Sequence, residues 1–292
     1  MNAFRLIRES LFHYRWINLS VLAGVALTSA ILSGALVVGD SVKESLRQNA
    51  EARLSKIGPV FVGGERYVSN SLADRVSRSL GASVAPILQI EGTASNRNGG
   101  KRVNKVQILG VDDRFWELSL AGKAPDEFAD DRWIAINEPF ARRIEADAGD
   151  SLIVRVELPG ALSKDAPLSG ESEQTTPFTV KVSEVINEED FGLYSLRAEQ
   201  VPPSTLFVKL SRLQEILETP KKVNILAARN DVDAKAFAEA VGDTWSFDDL
   251  QIEVKELGGS GLSQVVSSRI FFDAAIVEAF GKIASEESPI LT

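Results

Sequence analysis

The feature that most constrains this chain is a run of 23 residues near the N-terminus without a charged side chain, Ile17 to Gly39, which reads INLSVLAGVALTSAILSGALVVG. At about 1.5 Å of helical rise per residue, the run spans roughly 34 Å, enough to cross the roughly 30 Å hydrocarbon core of a bilayer. The sequence therefore predicts one membrane-spanning helix over residues 17–39. Everything that follows this helix must then fold on one side of a membrane.

The charges on either side of this run predict its orientation. Residues 1–16 carry a net charge of +2, from three arginines and Glu9, whereas the whole chain of 292 residues carries −9. Because positively charged flanks remain on the cytoplasmic side, we expect residues 1–16 to be a cytoplasmic lead-in at a bacterial inner membrane. The main domain would then be periplasmic, or more generally extracytoplasmic. Its acidity argues against a nucleic-acid partner.

A cleaved signal peptide is the main alternative to a stable span. Signal peptides have an apolar stretch of about 7–15 residues followed by a small-residue cleavage site. The run here is longer than that, although the small residues at 33–35 would permit cleavage. The length favours a helix that stays in the membrane.

Small residues recur every four positions along the predicted span, at Ala26, Ala30 and Gly34. Such a stripe allows a second helix to approach closely, although small residues are also common in membrane helices in general. We favour the first interpretation and predict that these three residues pack against partner helices.

A stalk helix is predicted over residues 40–57, next to the span. Its apolar positions fall on one helical face, and they are Val42, Leu46, Ala50 and Leu54. Ser41 and Glu44 form a capping-box pattern, so the helix either restarts there or continues the membrane helix outward. Gly58-Pro59 predicts its end.

The body of the chain, residues 58–257, alternates short strand and helix patterns, which indicates an α+β fold of mixed sheets covered by helices. Strands are predicted at 87–95, 103–111, 152–158, 180–182, 206–210, 224–228 and 252–254. Helices are predicted at 72–80, 137–146, 211–217 (capped by Ser211) and 234–241. Residues 159–177, rich in Pro, Ser and Gly, are expected to form an exposed loop.

The last segment, residues 258–292, is predicted to hold a flexible joint and a return helix. The joint is the Gly-rich run 258–261, and the helix pattern covers 262–280. Because an apolar stretch begins just before Thr292, we expect the helical region to be truncated and the native reading frame to continue.

Residues typical of catalysis and of metal or cofactor binding are largely absent. The chain has no Cys, and its one histidine, His13, lies in the lead-in. The block Gly39-Asp40-Ser41-Val42 resembles a hydrolase nucleophile motif, but a serine nucleophile needs a base within reach, and the capping box explains the same residues. Three acidic runs, at 112–113, 130–131 and 188–190, lack the ligand spacing of a calcium loop. We predict no enzyme, no cofactor and no metal.

Four aromatic residues next to strand patterns permit two interpretations, an apolar groove or ordinary core packing. They are Phe115, Trp116, Trp133 and Phe191. Aromatic side chains of this kind usually fill a core, so we expect them to be buried.

A family resemblance follows from these residues. Residues 4–54, with their basic lead-in and apolar helix, resemble the first helix of FtsX/MacB-type ABC transporter permeases. The body resembles the MacB-like periplasmic core domain of the large FtsX-like permeases, through VQILGVDDRFW (106–116), AINEPFARRIEADAGDSLIVRV (135–156), DAPL (165–168), FGLYSL (191–196), QVPPSTLFVKLSRLQ (200–214) and VNILAAR (223–229).

The resemblance implies a fold and a function that the residues alone do not give. Such a permease has four membrane helices and an outer domain with a porter-like and a more variable, β-rich part. A separate cytoplasmic ATPase, commonly acting on a permease dimer, drives the outer domain to move a lipoprotein, lipid, peptide or drug. This sequence shows one span instead of four, so the other permease helices or a second permease copy are expected partners.

Two rival functions remain open. One is a singly membrane-anchored binding or adaptor protein without ATPase coupling. The other is a secreted hydrolase released by signal cleavage. This function is disfavoured because no histidine follows the predicted span.

Overall fold

The computed structural model describes residues 3–64, 66–125, 132–158, 175–197, 201–250, 252–257 and 262–267. The chain divides into two compact units, Met1–Ala52 and Arg53–Thr292.

The first unit is helical. It consists of α1 (Ala3–His13) and, after Tyr14, of α2 (Arg15–Leu54), whose last two residues are counted in the second unit. The helix α1 is a finding that the sequence analysis did not predict, since residues 1–16 were expected only as a lead-in.

The helix α2 runs through Asp40 without a break. It has 40 residues, which corresponds to about 60 Å at the α-helical rise. Among the described residues it is the one helix long and apolar enough to cross a membrane. Ser41 and Glu44 do not cap a new helix, because the backbone N–H groups at these positions already lie inside a continuous one. Most of the segment predicted as a stalk therefore belongs to the same helix as the predicted span.

The second unit is a mixed α/β domain, as predicted. Its strands are β1 (Ile57–Val62), β2 (Val68–Ser69), β3 (Val84–Asn96), β4 (Arg102–Val111), β5 (Trp133–Asn137), β6 (Ser151–Glu157), β7 (Thr175–Ile186), β8 (Thr205–Lys209), β9 (Lys222–Val223), β10 (Ile225–Arg229), β11 (Ile252–Leu257) and β12 (Leu262–Ser267). Its helices are α3 (Asn70–Leu80), α4 (Asp113–Glu117), α5 (Glu138–Ile144), α6 (Leu210–Ile216) and α7 (Ala234–Asp243).

The main sheet closes on itself through β3. Its eight strands follow the order β1-β10-β3-β4-β8-β5-β7-β6, and β6 returns to pair with β3. Six strands, from β3 through β6, thus form a closed ring, while β10 and β1 continue from the first residues of β3. Closure leaves the six strands with few unpaired edges, which are sites of aggregation in open sheets.

Two apolar cores lie on opposite faces of β3, because side chains alternate along a strand. Val84 and Leu88 point into the larger core, and Ala85 and Ile87 into the smaller one. The larger core receives the buried faces of α3, α5, α6 and α7. The smaller one contains the side chains of α4 and includes a group of five aromatic residues.

Local signals explain where the helices of this unit begin and end. Ser69 caps α3 by accepting a hydrogen bond from the Ser71 backbone N–H at 3.3 Å, and Gly81 ends it in the left-handed region at φ 65°. Asp233 caps α7 in the same way, with its carboxylate accepting from the N–H groups of Lys235 and Ala236. These ends agree with the predicted helices to within two residues.

One predicted boundary and one predicted element are wrong. Leu210 was placed in a strand and Ser211 at a cap, but α6 begins at Leu210 and Lys209 precedes it without a side-chain cap bond. The strand ends there because its partner β4 ends at Val111, and Leu210 then turns into the core.

The helix predicted over 262–280 is also corrected. Residues 262–267 form β12, which pairs antiparallel with β11 from Leu257↔Leu262 to Ile252↔Ser267. The adjacent valines in LSQVVS favour a strand, and a short Gly-containing spacer between two such runs is a hairpin signal that the helix prediction overlooked. Residues 258–261 and 268–292 lie outside the described residues, as does most of the predicted loop 159–177. The last three residues of that predicted loop begin β7.

Candidate functional site

The predicted packing stripe lies on an exposed part of α2. Ala26, Ala30 and Gly34 are all exposed on α2. Each lies four residues from the next, slightly more than one helical turn, so the three share one side of the helix. A Cβ placed on Gly34 would meet no atom within 4 Å. The stripe is thus available to another helix, while its role in packing stays a prediction.

Two polar side chains in the apolar half of α2 form hydrogen bonds within the helix. The hydroxyl of Ser20 donates to the Trp16 carbonyl and that of Thr28 to the Gly24 carbonyl, both at 2.9 Å. A hydroxyl bound in this way presents no unpaired donor to an apolar surrounding. These two hydrogen bonds are compatible with the membrane location that the composition predicts.

The predicted stalk residues divide into two environments. Val42 and Leu46 are exposed on α2, whereas Leu54 packs against the smaller, aromatic core of the second unit. Between them the helix becomes charged, and Arg47 forms an i,i+4 ion pair with Glu51 at 2.8 Å. Of the three predicted stalk residues Val42, Leu46 and Leu54, Leu54 therefore packs in the folded domain and the other two are exposed.

The residues that resembled a hydrolase motif are not arranged for catalysis. Asp40 and Ser41 are exposed in the middle of α2, and the single histidine, His13, lies in α1. Within the described residues no group of three or more His, Cys, Asp or Glu side chains could hold a metal ion.

The first acidic pair forms a helix start. Asp112 accepts hydrogen bonds from the backbone N–H of Arg114 at 3.1 Å and from its Nε at 2.9 Å, and Arg114 also reaches Asp74 at 2.8 Å. Burial raises the pKa of the Asp112 carboxyl, and its hydrogen bond with Arg114 opposes this shift.

The run 188–190 forms a short 3-10 turn capped by Asn187. Burial, together with the neighbouring charge of Glu189, raises the pKa of Asp190. The pair 130–131 lies outside the described residues. Neither described acidic run has the geometry of a cation site.

Three of the four aromatic residues belong to the smaller core. Phe115, Trp116 and Phe191 are fully buried, and the rings of Phe115 and Phe191 have centroids 4.4 Å apart. Tyr194 joins them, with no hydrogen-bond partner for its hydroxyl among the described residues, and burial raises its pKa well above the ordinary value. Trp133 is half-buried under the Lys181 ammonium, 4.5 Å from the ring centroid. The core-packing interpretation is therefore confirmed for Phe115, Trp116 and Phe191.

Buried asparagines connect the loops of the second unit, a feature that the sequence analysis missed. The amide of Asn137 donates to the carbonyls of Gly192 and Pro203 and accepts from the N–H groups of Phe140 and Thr205, all within 3.1 Å. All four bonding positions of one side chain are thus used, and the side chain caps α5 at the same time.

Two further asparagines do the same elsewhere. The Asn96 amide donates to the carbonyls of Ile144 and Glu145. Asn224 donates to the Gln89 carbonyl and accepts from the Gln89 N–H, both at 2.8 Å. These side chains replace missing strand or turn hydrogen bonds, so they stabilise the fold and are not a ligand site.

A buried carboxylate holds the segment that follows α7. The side chain of Asp249 has no exposed surface and forms an ion pair with Arg75 of α3. It also accepts from the backbone N–H of Ser69 at 3.1 Å and of Ser246 at 2.8 Å. The adjacent Asp248 is exposed and pairs with Lys222 at 3.0 Å.

Two hollows in the described part of the second unit are open and small. One has a volume of about 140 Å³ and is lined by Ala121, Lys123, Ala124, Pro125, Glu184 and Asp190. The other has about 240 Å³ and lies between α5 and the segments at 186–193 and 201–202. Binding sites for drug-sized molecules are usually about 300–1,000 Å³ and enclosed. Neither hollow has the properties of a catalytic cleft.

Comparison with known proteins gives distant structural neighbours, among them the three that follow. No family model matches the chain, and no curated protein matches it. The periplasmic region of MacB from Actinobacillus actinomycetemcomitans is 10% identical with a TM-score of 0.43, and the match covers 82% of this chain and 99% of that one.

The other two neighbours are similarly distant. The extracellular domain of the ABC-type transporter YknZ from Gram-positive bacteria is 11% identical, with a TM-score of 0.40, over 63% of this chain and 88% of that one. A domain of a protein described as a permease, from Porphyromonas gingivalis, is 13% identical, with a TM-score of 0.39, over 68% and 88%. MacB and permeases are also the proteins to which the sequence resemblance points. At this distance the neighbours give neither a partner nor a cargo to this chain.

Proposed function

We propose that this chain is a permease subunit of a mechanotransmission-type ABC transporter. In this proposal a separate cytoplasmic ATPase hydrolyses ATP, and the second unit moves an extracytoplasmic cargo such as a lipoprotein, lipid, peptide or drug. The chain is anchored by α2 in the bacterial inner membrane with its N-terminus in the cytoplasm. Further permease helices or a second permease copy complete the membrane part.

The observation that carries the proposal is the continuity of α2. One helix of 40 residues holds an uncharged stretch with exposed apolar side chains and then a charged stretch, with no break at Asp40. A continuous helix resists bending far better than two helices joined by a loop, so displacement at one end reaches the other. An anchor that only tethers a domain needs no such continuity.

The stripe at Ala26, Ala30 and Gly34 supports the same proposal, since a lever in a membrane needs helices to move against. Replacing Ala30 with Leu adds a large side chain at the centre of the stripe, and we expect it to weaken association with the other permease helices. Co-purification of the full-length subunit with its partners measures this. If assembly and ATPase coupling are unchanged in the Ala30→Leu variant, the stripe does not pack against partner helices.

The continuity of α2 is tested by Lys43→Pro in the full-length protein, with Lys43→Ala as its matched control. Proline removes a helical hydrogen bond and clashes with the preceding turn, at a cost of about 3 kcal/mol, whereas alanine keeps the helix. We expect the proline variant to insert and to bind the ATPase but to lose coupling between ATP hydrolysis and cargo release. The alanine variant should keep it.

The rival function, a singly anchored adaptor, is favoured by the closed ring of strands in the second unit. It predicts that the full chain captures an extracytoplasmic partner without any ATPase and that Lys43→Pro changes nothing. An ATPase that co-purifies with the wild-type chain, together with coupling lost in the proline variant alone, contradicts the adaptor.

A further inference from the structure

The strands β3, β6 and β7 direct one side of the sheet away from the larger core. Ala94, Val154 and Val180 fill that core from the inner side. Because side chains alternate along a strand, the residues between them point outward, where they are partly or fully exposed. We call this outward surface the basic face, and it consists of the outward residues within 93–95, 151–155 and 177–181 together with Arg102 of β4.

The strand register arranges the basic face in three rows. Each row holds one cation beside a hydroxyl residue of the neighbouring strand, and the pairs are Arg102 beside Ser95, Arg155 beside Thr93, and Lys181 beside Ser151. Successive rows are two residues apart along β6, which corresponds to about 7 Å. The three positive charges are thus spread along an extended surface and are not gathered at one point.

The cations of the basic face lack carboxylate partners within the described residues. Arg102 and Arg155 form no ion pair there, and the Lys181 ammonium lies over the Trp133 ring, 4.5 Å from its centroid. The ranges 93–95, 151–155 and 177–181 contain no Asp or Glu, and the next outward residue of β6, Glu157, ends that strand.

Exposed arginines elsewhere in the second unit do have such partners. Arg142 pairs with Glu138 at 2.7 Å, and Arg212 pairs with Glu215 at 2.6 Å. The whole chain carries a net charge of −9, so carboxylates are in excess. A surface of unpaired cations in an acidic chain is complementary to a negatively charged partner.

The residues between the cations indicate the class of that partner. The centre of a protein–protein interface is usually depleted of charge and enriched in aromatic residues. Here the spaces between the cations hold mainly Ser and Thr hydroxyls, with Ile153 half-buried among them. Cations and hydroxyls that stay hydrated suit a polymer with carboxylate or phosphate groups along its length. Outside the cytoplasm, where the proposed function puts the second unit, the polymers of this kind are acidic glycans.

We propose that the basic face binds an acidic glycan of the cell envelope, with its anionic groups held by Arg102, Arg155 and Lys181. This inference rests on the extracytoplasmic location in the proposed function, and it adds a ligand class to that function. Binding on the basic face leaves both hollows of the second unit unoccupied.

The binding experiment uses the full chain in detergent and a fluorescent oligogalacturonate, a glycan with a carboxylate on each sugar. Fluorescence anisotropy measures its affinity, and a dextran oligomer of the same length is the uncharged control. We expect the oligogalacturonate alone to bind, and its affinity to fall with added salt because exposed charges are screened. No binding of oligogalacturonate, or equal binding of dextran, would overturn the inference.

The site is tested with Arg155→Gln/Lys181→Gln and a matched control, Lys221→Gln/Lys235→Gln. The control removes the same charge from exposed positions outside the basic face. We expect the first variant to lower the affinity about tenfold, since each exposed ion pair contributes modestly, and the control to leave it unchanged. Equal losses would mean that overall charge is responsible, which contradicts the basic face. Tighter binding of polyglutamate, lost in the same variant, would replace the glycan by an acidic protein.

The location is tested separately with Thr179→Cys, on the basic face. The native chain has no cysteine, so the label is unique. We expect a membrane-impermeant maleimide to label this variant in intact spheroplasts. Labelling only after lysis would contradict the proposed location, and with it the glycan. Labelling of intact spheroplasts together with failed glycan binding would contradict the inference alone, so the two failures are distinguishable.

Discussion

The same apolar residue types are placed in opposite ways in α2 and in the strands of the second unit. Leu27 of α2 is 64% exposed, whereas Leu109 of β4 is fully buried. In the second unit, alternation along strands directs apolar side chains into two cores on opposite faces of β3. In residues 17–39 of α2 they surround the helix with no charged face, which is typical of a segment whose solvent is lipid or other helices. Exposure of apolar side chains would therefore destabilise the second unit, whereas a membrane-facing α2 requires it.

The largest effect that tests this comparison is expected when the same side-chain truncation, Leu to Ala, is made in both regions. Leu109→Ala removes buried side-chain atoms and leaves a cavity, so it should lower the free energy of unfolding of the second unit by about 2–5 kcal/mol. Leu27→Ala should leave that free energy unchanged. Urea denaturation of the full chain in detergent, followed by tryptophan fluorescence, to which the buried Trp116 contributes, measures the free energy of unfolding of both variants. A loss of the same size in both variants would remove the distinction between the regions.

Introducing a charged residue should have the opposite pattern of effects, with the larger cost in α2. Val25→Asp places a carboxylate in the apolar half of α2, which costs about 2.5–3.5 kcal/mol near the centre of a membrane helix. Val62→Asp places one at an exposed strand position and should cost about 0.5 kcal/mol or less. Membrane fractionation should show less inserted protein for the first variant only. Normal insertion of the Val25 variant would argue that α2 is not a span.

A smaller effect separates two neighbouring carboxylates within the second unit. Asp249→Asn keeps the shape of the side chain but removes the charge that Arg75 and two backbone N–H groups bind, at a cost of about 2 kcal/mol. Asp248→Asn affects an exposed ion pair and should cost about 0.5 kcal/mol. Thermal unfolding of both variants checks the difference, and equal losses would contradict the buried role of Asp249.

The smallest expected effect is a pH dependence. The hydrogen bond from Lys222 lowers the pKa of Asp248 in the folded state, so the contribution of this carboxyl is present above its unfolded pKa near 4. It is lost as the pH falls through the lower folded value. The difference in stability between wild type and Asp248→Asn should therefore be present at pH 7 and vanish on acidification to about pH 2. A difference that grows on acidification would mean that the pair does not stabilise the fold.

The sequence predicted those parts of the molecule whose signals are local. The apolar run, the ends of α3 at Ser69 and Gly81, and the hairpin of β3 and β4 each depend on residues close together in the chain. The α+β class followed from them.

Signals that depend on distant residues could not be read in this way. The return of β6 to β3 joins segments with no shared local pattern, and Asn137 could not be recognised as a connector because Gly192, Pro203 and Thr205 are far along the chain. The amphipathic pattern of α1 was present but was covered by the stronger apolar signal after it. The candidate packing stripe was visible in the sequence, and its function awaits the assembly experiment.

The pairing of β10 with both β1 and β3 has a consequence for the order of events during synthesis. Ile57 of β1 faces Arg229 of β10, and Ile87 of β3 faces Ile225. β1 and the first residues of β3 must wait for this partner until most of the second unit has been synthesised, because β10 is made late. Such long-range pairing slows folding and exposes apolar strands meanwhile. A chain already tethered by α2 would pass this interval confined to a membrane surface, where a chaperone of the receiving compartment would be expected to find it.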